Sequence, residues 1–318
     1  MLKSRRLAVL ASAGGLLLVS AAPALGAPLS PSAVVTPGAV TIEETTATTA
    51  SVVVATYNLR HALSVNAVVG DLKALADTGV DVMGLQEMGG RDREAAVAEQ
   101  LACSSCQFDV YMPNEAGQRA TPILYRRSMF SLLSAGTQKI SNATYVGPSG
   151  AGPSTVAAKY LNYVLLDHRV TGQDIYVINS HTVASVEVGG EPNYNHPERL
   201  RLYRKHMDRL SAMINEFKAT GAAVFTTGDF NVNYRLDSVV RHWRFPYYNM
   251  SQLGVFASYK FLGMPEYGTH VRKASNDTRL IDYVSSLTHA AVVPKEQTVL
   301  KGYSSDHRPV RVRYAITQ

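Results

Sequence analysis

Cysteine is nearly absent: the chain of 318 residues has two, Cys103 and Cys106. Two cysteines exclude a disulfide-dense framework. A structural zinc site would need two ligands beyond this Cys-x-x-Cys, and no pair of histidines lies at a suitable spacing. Long apolar runs are missing too. A spanning helix needs ~20 consecutive apolar residues, whereas Leu7 to Val19 is shorter and soon meets Pro23. There is no internal repeat, and no second low-complexity break after residue 50, so one folded domain is expected. Nor does one charge dominate. The formal net charge is +6, and Lys3, Arg5 and Arg6 supply half of it. The remainder is mildly basic, which permits an anionic substrate without demonstrating one.

The N-terminus reads as an address. Lys3, Arg5 and Arg6 form a basic region, Leu7 to Val19 an apolar one, and Ala22-Pro23-Ala24 a small-x-small cleavage pattern, with Gly26 a second candidate. Residues 1–26 are therefore expected to be a signal peptide and the mature protein to be secreted. Ser4-Arg5-Arg6 loosely fits a twin-arginine signal, which leaves the export route open. Residues 27–50, rich in Pro, Ser, Thr, Ala and Val, read as a flexible linker, and residues 51–318 as the folded domain. In an exported chain, Cys103 and Cys106 are expected to close a local disulfide.

Apolar strands and amphipathic helices alternate along the domain. Val52 to Tyr57 and Val80 to Leu85 read as strands buried on both faces. Leu63 to Thr78 has helical spacing and stops at Gly79. Arg91 to Leu101 is a polar-faced helix, and Glu198 to Lys218 the longest one. Tyr160 to Asp167 and Asp174 to Asn179 form a hairpin pair around Thr171-Gly172. Further strands are expected at Ile123 to Tyr125, Ala222 to Thr227, Leu280 to Ser285 and Pro309 to Ala315. The pattern predicts a layered α/β sandwich, two sheets packed together with helices outside.

Polar residues able to hold a metal or a proton sit where these strands end: Asn58, Glu87, His181, Asp229, Asn231, Asp282 and Asp306-His307. Singly, each has an ordinary explanation as a turn residue, a solvated charge or a satisfied core group. Together they suit cleavage of a phosphate ester with a hard divalent cation. Mg²⁺ takes oxygen ligands and keeps several waters, so Glu87, Asn58 and Asp306 serve as the metal side. A water attacking phosphorus needs a base, and His307 held by Asp282 provides one. Asn231 donates to a phosphoryl oxygen or orients the water, and Asp229 stands near the metal side. A protonated His181 would supply charge or a proton on the leaving-group side.

In order, Ala55-Thr56-Tyr57-Asn58, Gly84-Leu85-Gln86-Glu87, Leu124-Tyr125-Arg126, Ile178-Asn179-Ser180-His181, Gly228-Asp229-Phe230-Asn231, Ile281-Asp282-Tyr283 and Ser305-Asp306-His307 resemble the endonuclease/exonuclease/phosphatase superfamily, which includes deoxyribonuclease I. The resemblance runs from Val52 to Val312. It implies a four-layered sandwich of two mixed β-sheets flanked by helices. It implies metal binding by Asn58, Glu87 and Asp306, catalysis by His181, Asp229, Asn231, Asp282 and His307, and phosphate contacts from Tyr125 and Asn231. The Asn-x-His form at Asn179 to His181 matches deoxyribonuclease I, sphingomyelinases and 5-phosphatases rather than abasic-site repair enzymes.

The expected cofactor is Mg²⁺, with Mn²⁺ or Ca²⁺ as alternatives, in a monomer without a stable protein partner. Nucleic acid is the first expected substrate. Phospholipid or a small phosphoester is the alternative, because basic and aromatic residues interleave from Arg241 to Tyr248 as at membrane interfaces. A non-catalytic binding module would require a lost catalytic group, and none is missing. The stretch from Val183 to His196 reads as an inserted loop beside His181.

Overall fold

The β-branched run after residue 50 forms a ten-residue strand, β1 (Thr49–Asn58). It pairs in parallel with β2 (Val82–Gln86) and antiparallel with β16 (Val310–Thr317). With β3 (Phe108–Tyr111), β4 (Ile123–Arg126) and β15 (Val292–Val299) they make a six-stranded sheet ordered β15-β16-β1-β2-β4-β3. The second six-stranded sheet is ordered β13-β14-β12-β9-β8-β5. Its strands are β5 (Phe130–Ser141), β8 (Lys159–His168), β9 (Gln173–His181), β12 (Ala223–Asp229), β13 (Val255–Ala257) and β14 (Asp282–Leu287). Two short ribbons, β6 (Thr144–Tyr145) with β7 (Thr155–Val156) and β10 (Glu187–Val188) with β11 (Glu191–Pro192), lie outside these sheets.

This computed structural model describes residues 48–115, 117–147, 154–271, 278–289 and 291–317. The expected signal peptide and all but the end of the expected linker lie outside them. Thr49 and Ala50, expected in the linker, instead pair with Thr317 and Ile316.

The period of two along each strand sorts its residues between two cores. From the first sheet, Val52, Val54, Val82, Val312 and Tyr314 point at the second, where Tyr314 meets Phe225 edge-on at 4.8 Å. The alternate residues Val53, Ala55, Tyr57, Met83 and Leu85 pack beneath Val68, Leu72 and Leu75 of α1 (Val65–Asp77), beside α2 (Arg91–Gln100). The outer face of the second sheet is covered by α3 (Pro197–Lys218), whose Phe217 stacks on Tyr176 at 3.8 Å. The result is the four-layered sandwich, with each large core side chain contributing ~1.5–3 kcal/mol through burial. Three short helices, α4 (Tyr234–Val240), α5 (Pro246–Ser251) and α6 (Tyr259–Leu262), connect β12 to β14 by way of β13.

Two glycines permit close packing, Gly84 between the sheets and Gly228 between neighbouring strands of one sheet. A Cβ on Gly84 would lie 1.9 Å from Thr227 Oγ1 in the opposite sheet, and one on Gly228 would lie 2.3 Å from the Ser180 carbonyl. Around Gly84 the sheets share a buried polar seam. Gln86 Nε2 donates to Asn179 Oδ1 at 2.8 Å, Thr227 Oγ1 donates to the same oxygen at 3.1 Å, and Asn179 Nδ2 donates to the Leu85 and Pro122 carbonyls. Each of these groups, left unpaired in the core, would cost ~1–3 kcal/mol. Their mutual satisfaction fixes the register of one sheet against the other. Cys103 and Cys106 are joined by a disulfide in the loop between α2 and β3.

Candidate active site

The pairing of three strands puts three site residues in one row. Asp229, the last residue of β12, is opposite His181 on β9 and Asp282 on β14. The sequence reading places Asp282 inside a strand; in the structure it begins one. The cause is Thr269, whose Oγ1 accepts hydrogen bonds from the Ile281 and Asp282 amides and holds the chain at the point where the ladder starts.

From the other sheet, Asn58 ends β1 and its Nδ2 donates to Asp229 Oδ2 at 3.0 Å and to Glu87 Oε1 at 3.2 Å. This one amide ties the two sheets together at the site. Glu87 follows β2 with φ 58 and Asn231 follows β12 with φ 54, a left-handed backbone uncommon for residues other than glycine. Each turn aims a polar side chain across the sandwich edge, strain of the kind found at functional sites. The Glu87 carboxylate also accepts the His61 amide at 2.8 Å, and Asp229 Oδ1 accepts the Asn231 amide at 2.8 Å.

His307 lies in a loop that several buried bonds fix. Asp71 of α1 accepts from the Tyr57 hydroxyl at 2.6 Å and from Ser304 N and Oγ, and Ser305 Oγ donates to the Asn58 carbonyl at 2.7 Å. The His307 Nδ1 sits 2.9 Å from Asp282 Oδ2, which leaves Nε2 facing Asp229 Oδ2 at 3.9 Å. Burial alone would lower the His307 pKa. The charge and hydrogen bond of Asp282, with Asp229 and Asp306 behind it, outweigh that and push it up to about 10. Burial, reinforced by the charge of Asp282, pushes the Asp229 carboxyl up to about 7. Asp306 points more toward solvent and pairs with Arg60 at 3.6 Å.

Two sequence expectations need correction. Tyr125 does not reach the site. It pairs opposite Val82, five residues before Glu87, and is buried at the far end of the sheet. Because β4 runs antiparallel to β2, it is Thr121 and Pro122 just before β4, not Tyr125, that approach the site end. The second correction concerns a protonated His181. Burial, then the positive charge of Lys159, hold its pKa well below the ordinary value, so the neutral ring is favoured. Its Nε2 lies 3.5 Å from Asp229 Oδ2 and 3.9 Å from Glu87 Oε1, the acidic neighbours that sequence could not supply.

Lys159 is the group that sequence reasoning missed. It opens β8, and its Nζ donates to the Thr182 carbonyl at 2.9 Å, which also accepts Asn231 Nδ2 at 3.4 Å. Burial pulls its pKa down to about 8 against the opposing pull of Asp229 and Glu87. The sequence offers only the expected hairpin as a signal; the register of β8 against β9 is what sets Lys159 beside His181 and Thr182.

Glu87 and Asp306 on the first-sheet side, with Asp229 reached across the edge through Asn58 Nδ2, offer the oxygen donors that a hard divalent cation takes. A second grouping, Asp229, Asp282 and His307, brings one ligand atom from each within 4.8 Å. Because His307 Nδ1 is already committed to Asp282, the oxygen-rich rim is the better cation site. The imidazole–carboxylate couple beside it is built to handle protons.

A sandwich with this carboxylate–histidine row at its edge fits phosphoester hydrolysis. The model of the Endonuclease/Exonuclease/phosphatase family matches residues 55–307, and the chain belongs to that family. The family's members hydrolyse phosphoesters and are mostly dependent on a divalent metal. Among solved structures, the chain is similar to an endonuclease/exonuclease/phosphatase family protein from Bacteroides thetaiotaomicron (19% identity, 85% of this chain and 97% of that one, TM-score 0.60). It is also similar to D. rerio TDP2 complexed with a single-strand DNA product (16% identity, 83% and 98% covered, TM-score 0.58). A third is a mannosyl-6-phosphatase from Bacteroides thetaiotaomicron (18% identity, 83% and 99% covered, TM-score 0.56). No curated protein sequence matches the chain significantly.

Proposed function

We propose that this chain is a secreted phosphodiesterase, most simply an endonuclease, that uses Mg²⁺. The carrying observation is the row His181, Asp229, Asp282 facing Asn58 and Glu87 across the sandwich edge, with His307 against it. Asp282 holds the His307 ring so that Nε2 is the nitrogen presented to the attacking water. Asp229, fixed by the Asn231 amide and Asn58 Nδ2, orients that water. Asn231 Nδ2 and Lys159 Nζ, gathered at the Thr182 carbonyl, donate to the phosphoryl oxygens. His181, as a neutral ring, donates a hydrogen bond rather than charge. A divalent cation at Glu87, Asp306 and Asn58 would polarise the phosphoryl oxygen and offset the carboxylate field that keeps a proton on His307.

Nucleic acid is supported by the single-strand DNA bound to the TDP2 neighbour, and the mildly basic charge permits it. The arginines of α3 add little, since Arg201 pairs with Glu198 and Arg204 with Asp208. A lipid phosphodiester is the second reading, supported by the exposed Trp243 beside Arg204 and Arg244. Export through residues 1–26 is supported by the Cys103–Cys106 disulfide, since such bonds persist in oxidising compartments.

The test is a substrate panel of plasmid DNA, RNA, sphingomyelin and a phosphomonoester, each with Mg²⁺ and with EDTA. Nicking of plasmid that stops in EDTA is the expected result. Purified mature protein that cleaves none of the four under any divalent ion would sink the proposal. N-terminal sequencing of protein from the culture medium is expected to start near residue 27, and light scattering to show a monomer.

A further inference from the structure

The inserted segment after His181 does not hang free. Its ribbon β10–β11 lies on α4, so tightly that a Cβ on Gly190 would come within 2.9 Å of Val240 Cγ2 and 3.1 Å of Leu236 Cβ. Farther along, Tyr194 reaches the turn after α4, where the Arg244 guanidinium lies 5.8 Å from its ring and 4.1 Å from that of Trp243. Arg204 of α3 covers Trp243 from another side at 4.8 Å. The two segments thus form one ridge, which exposes, beside Glu191 and Asn195, the apolar side chains of Val188, Tyr194, Leu236, Val239, Val240 and Trp243. Val239 is 77% exposed, Tyr194 66% and Val188 63%. Isolated exposed apolar residues need no explanation, but a contiguous group ringed by cations does.

We propose that this ridge docks the enzyme on an anionic lipid surface. The pattern is that of interfacial segments: aliphatic side chains to enter the acyl boundary, Trp and Tyr for the headgroup level, and Arg241 and Arg244 for the anionic headgroups. Nucleic acid would use the arginines and the aromatic faces but would leave Val188, Leu236 and Val239 in water, since aliphatic side chains offer no stacking surface. Charge complementarity and the aliphatic content together select the bilayer. The ridge also borders the catalytic cleft. Glu187, at the start of the ribbon, accepts the Asn233 amide at 3.4 Å, two residues beyond Asn231. A docked molecule would therefore hold its site next to the membrane plane. The proposal goes beyond the phosphodiesterase reading and stands whichever phosphodiester is cleaved.

Trp243 is the sole tryptophan of the chain, so its emission reports on the ridge alone. Mature protein is mixed with phosphatidylcholine vesicles, with vesicles also containing phosphatidylglycerol, and with a single-stranded oligonucleotide. The expected result is a blue shift and quenching by brominated acyl chains with the anionic vesicles, weaker with the neutral ones. The double variant Val188→Asp/Val239→Asp should lose roughly tenfold or more in partitioning, and Arg244→Gln roughly fivefold on anionic vesicles alone. Both should hydrolyse a small soluble phosphodiester at the wild-type rate. Three outcomes overturn the proposal: no shift with either vesicle, a shift with the oligonucleotide only, or full partitioning of the double variant. An emission already blue-shifted in buffer and dependent on protein concentration overturns it too, since a second copy would then cover the ridge.

Discussion

The two rims of the active site are built by opposite means. On the second sheet, His181, Asp229 and Asp282 are fixed by strand register, and Asp282 and Asp229 are nearly inaccessible to water. On the first sheet, Asn58 is equally buried, but Glu87 and Asp306 stand on turns and keep 28% and 35% of their side-chain surface exposed. The buried rim has preset geometry and displaced proton affinities; the open rim has oxygen donors and room for water. A hydrolase that activates water with a cation needs both. Proton-handling groups profit from a low dielectric, whereas a hard cation must keep part of its hydration shell.

The largest expected effect comes from breaking the buried rim or the imidazole that it holds. His307→Ala should lower kcat by roughly 10²–10⁴ with an unchanged circular dichroism spectrum, and unchanged turnover would remove His307 from the chemistry. Asp282→Asn should fall in the same range, because the ring loses the carboxylate that sets its tautomer. Damage to the open rim should look different. Glu87→Gln is expected to weaken metal activation by roughly 10–100-fold, read as a shifted Mg²⁺ titration that excess metal partly restores. If saturating metal leaves the loss untouched, Glu87 is not a ligand.

A third experiment separates the rims from what joins them. Gly84→Ala forces a methyl into Thr227, and overpacking of this kind costs typically ~1–3 kcal/mol. The melting temperature should drop while the pH profile of residual activity stays put. The smallest effect concerns protons. Asp229 rises from 3.8 to about 7 on folding and His307 from 6.5 to about 10. Both therefore contribute stability that is complete below the unfolded value and lost as pH climbs through the folded one. In EDTA, the melting temperature should fall between pH 6.5 and 10, and His307→Gln should flatten that slope. A slope unaffected by the substitution would assign the pH dependence elsewhere.

Much of this was legible in the sequence because each site residue ends a strand whose apolar pattern is unmistakable. Val52 to Tyr57 announces both β1 and the position of Asn58. What could not be read were relations between distant strands. Nothing near Gln86 or Asn179 says that their amides meet across the sandwich. Tyr125 was misplaced because its distance from the site depends on the antiparallel sense of β4. Lys159 was missed because its neighbour His181 is 22 positions away and adjacent only through the ladder. Local periodicity is a property of one segment; register is a property of two.

The polar seam around Gly84 has a kinetic consequence. Neither sheet alone carries a working site, since Asn58 meets Asp229 only after the two faces have closed on each other. The newly made chain is thus chemically inert while it is unfolded, and hydrolysis should begin in step with the docking of the sheets. A refolding reaction followed by substrate turnover would show a lag equal to the time of closure, which makes the enzyme its own clock for the last step of its folding.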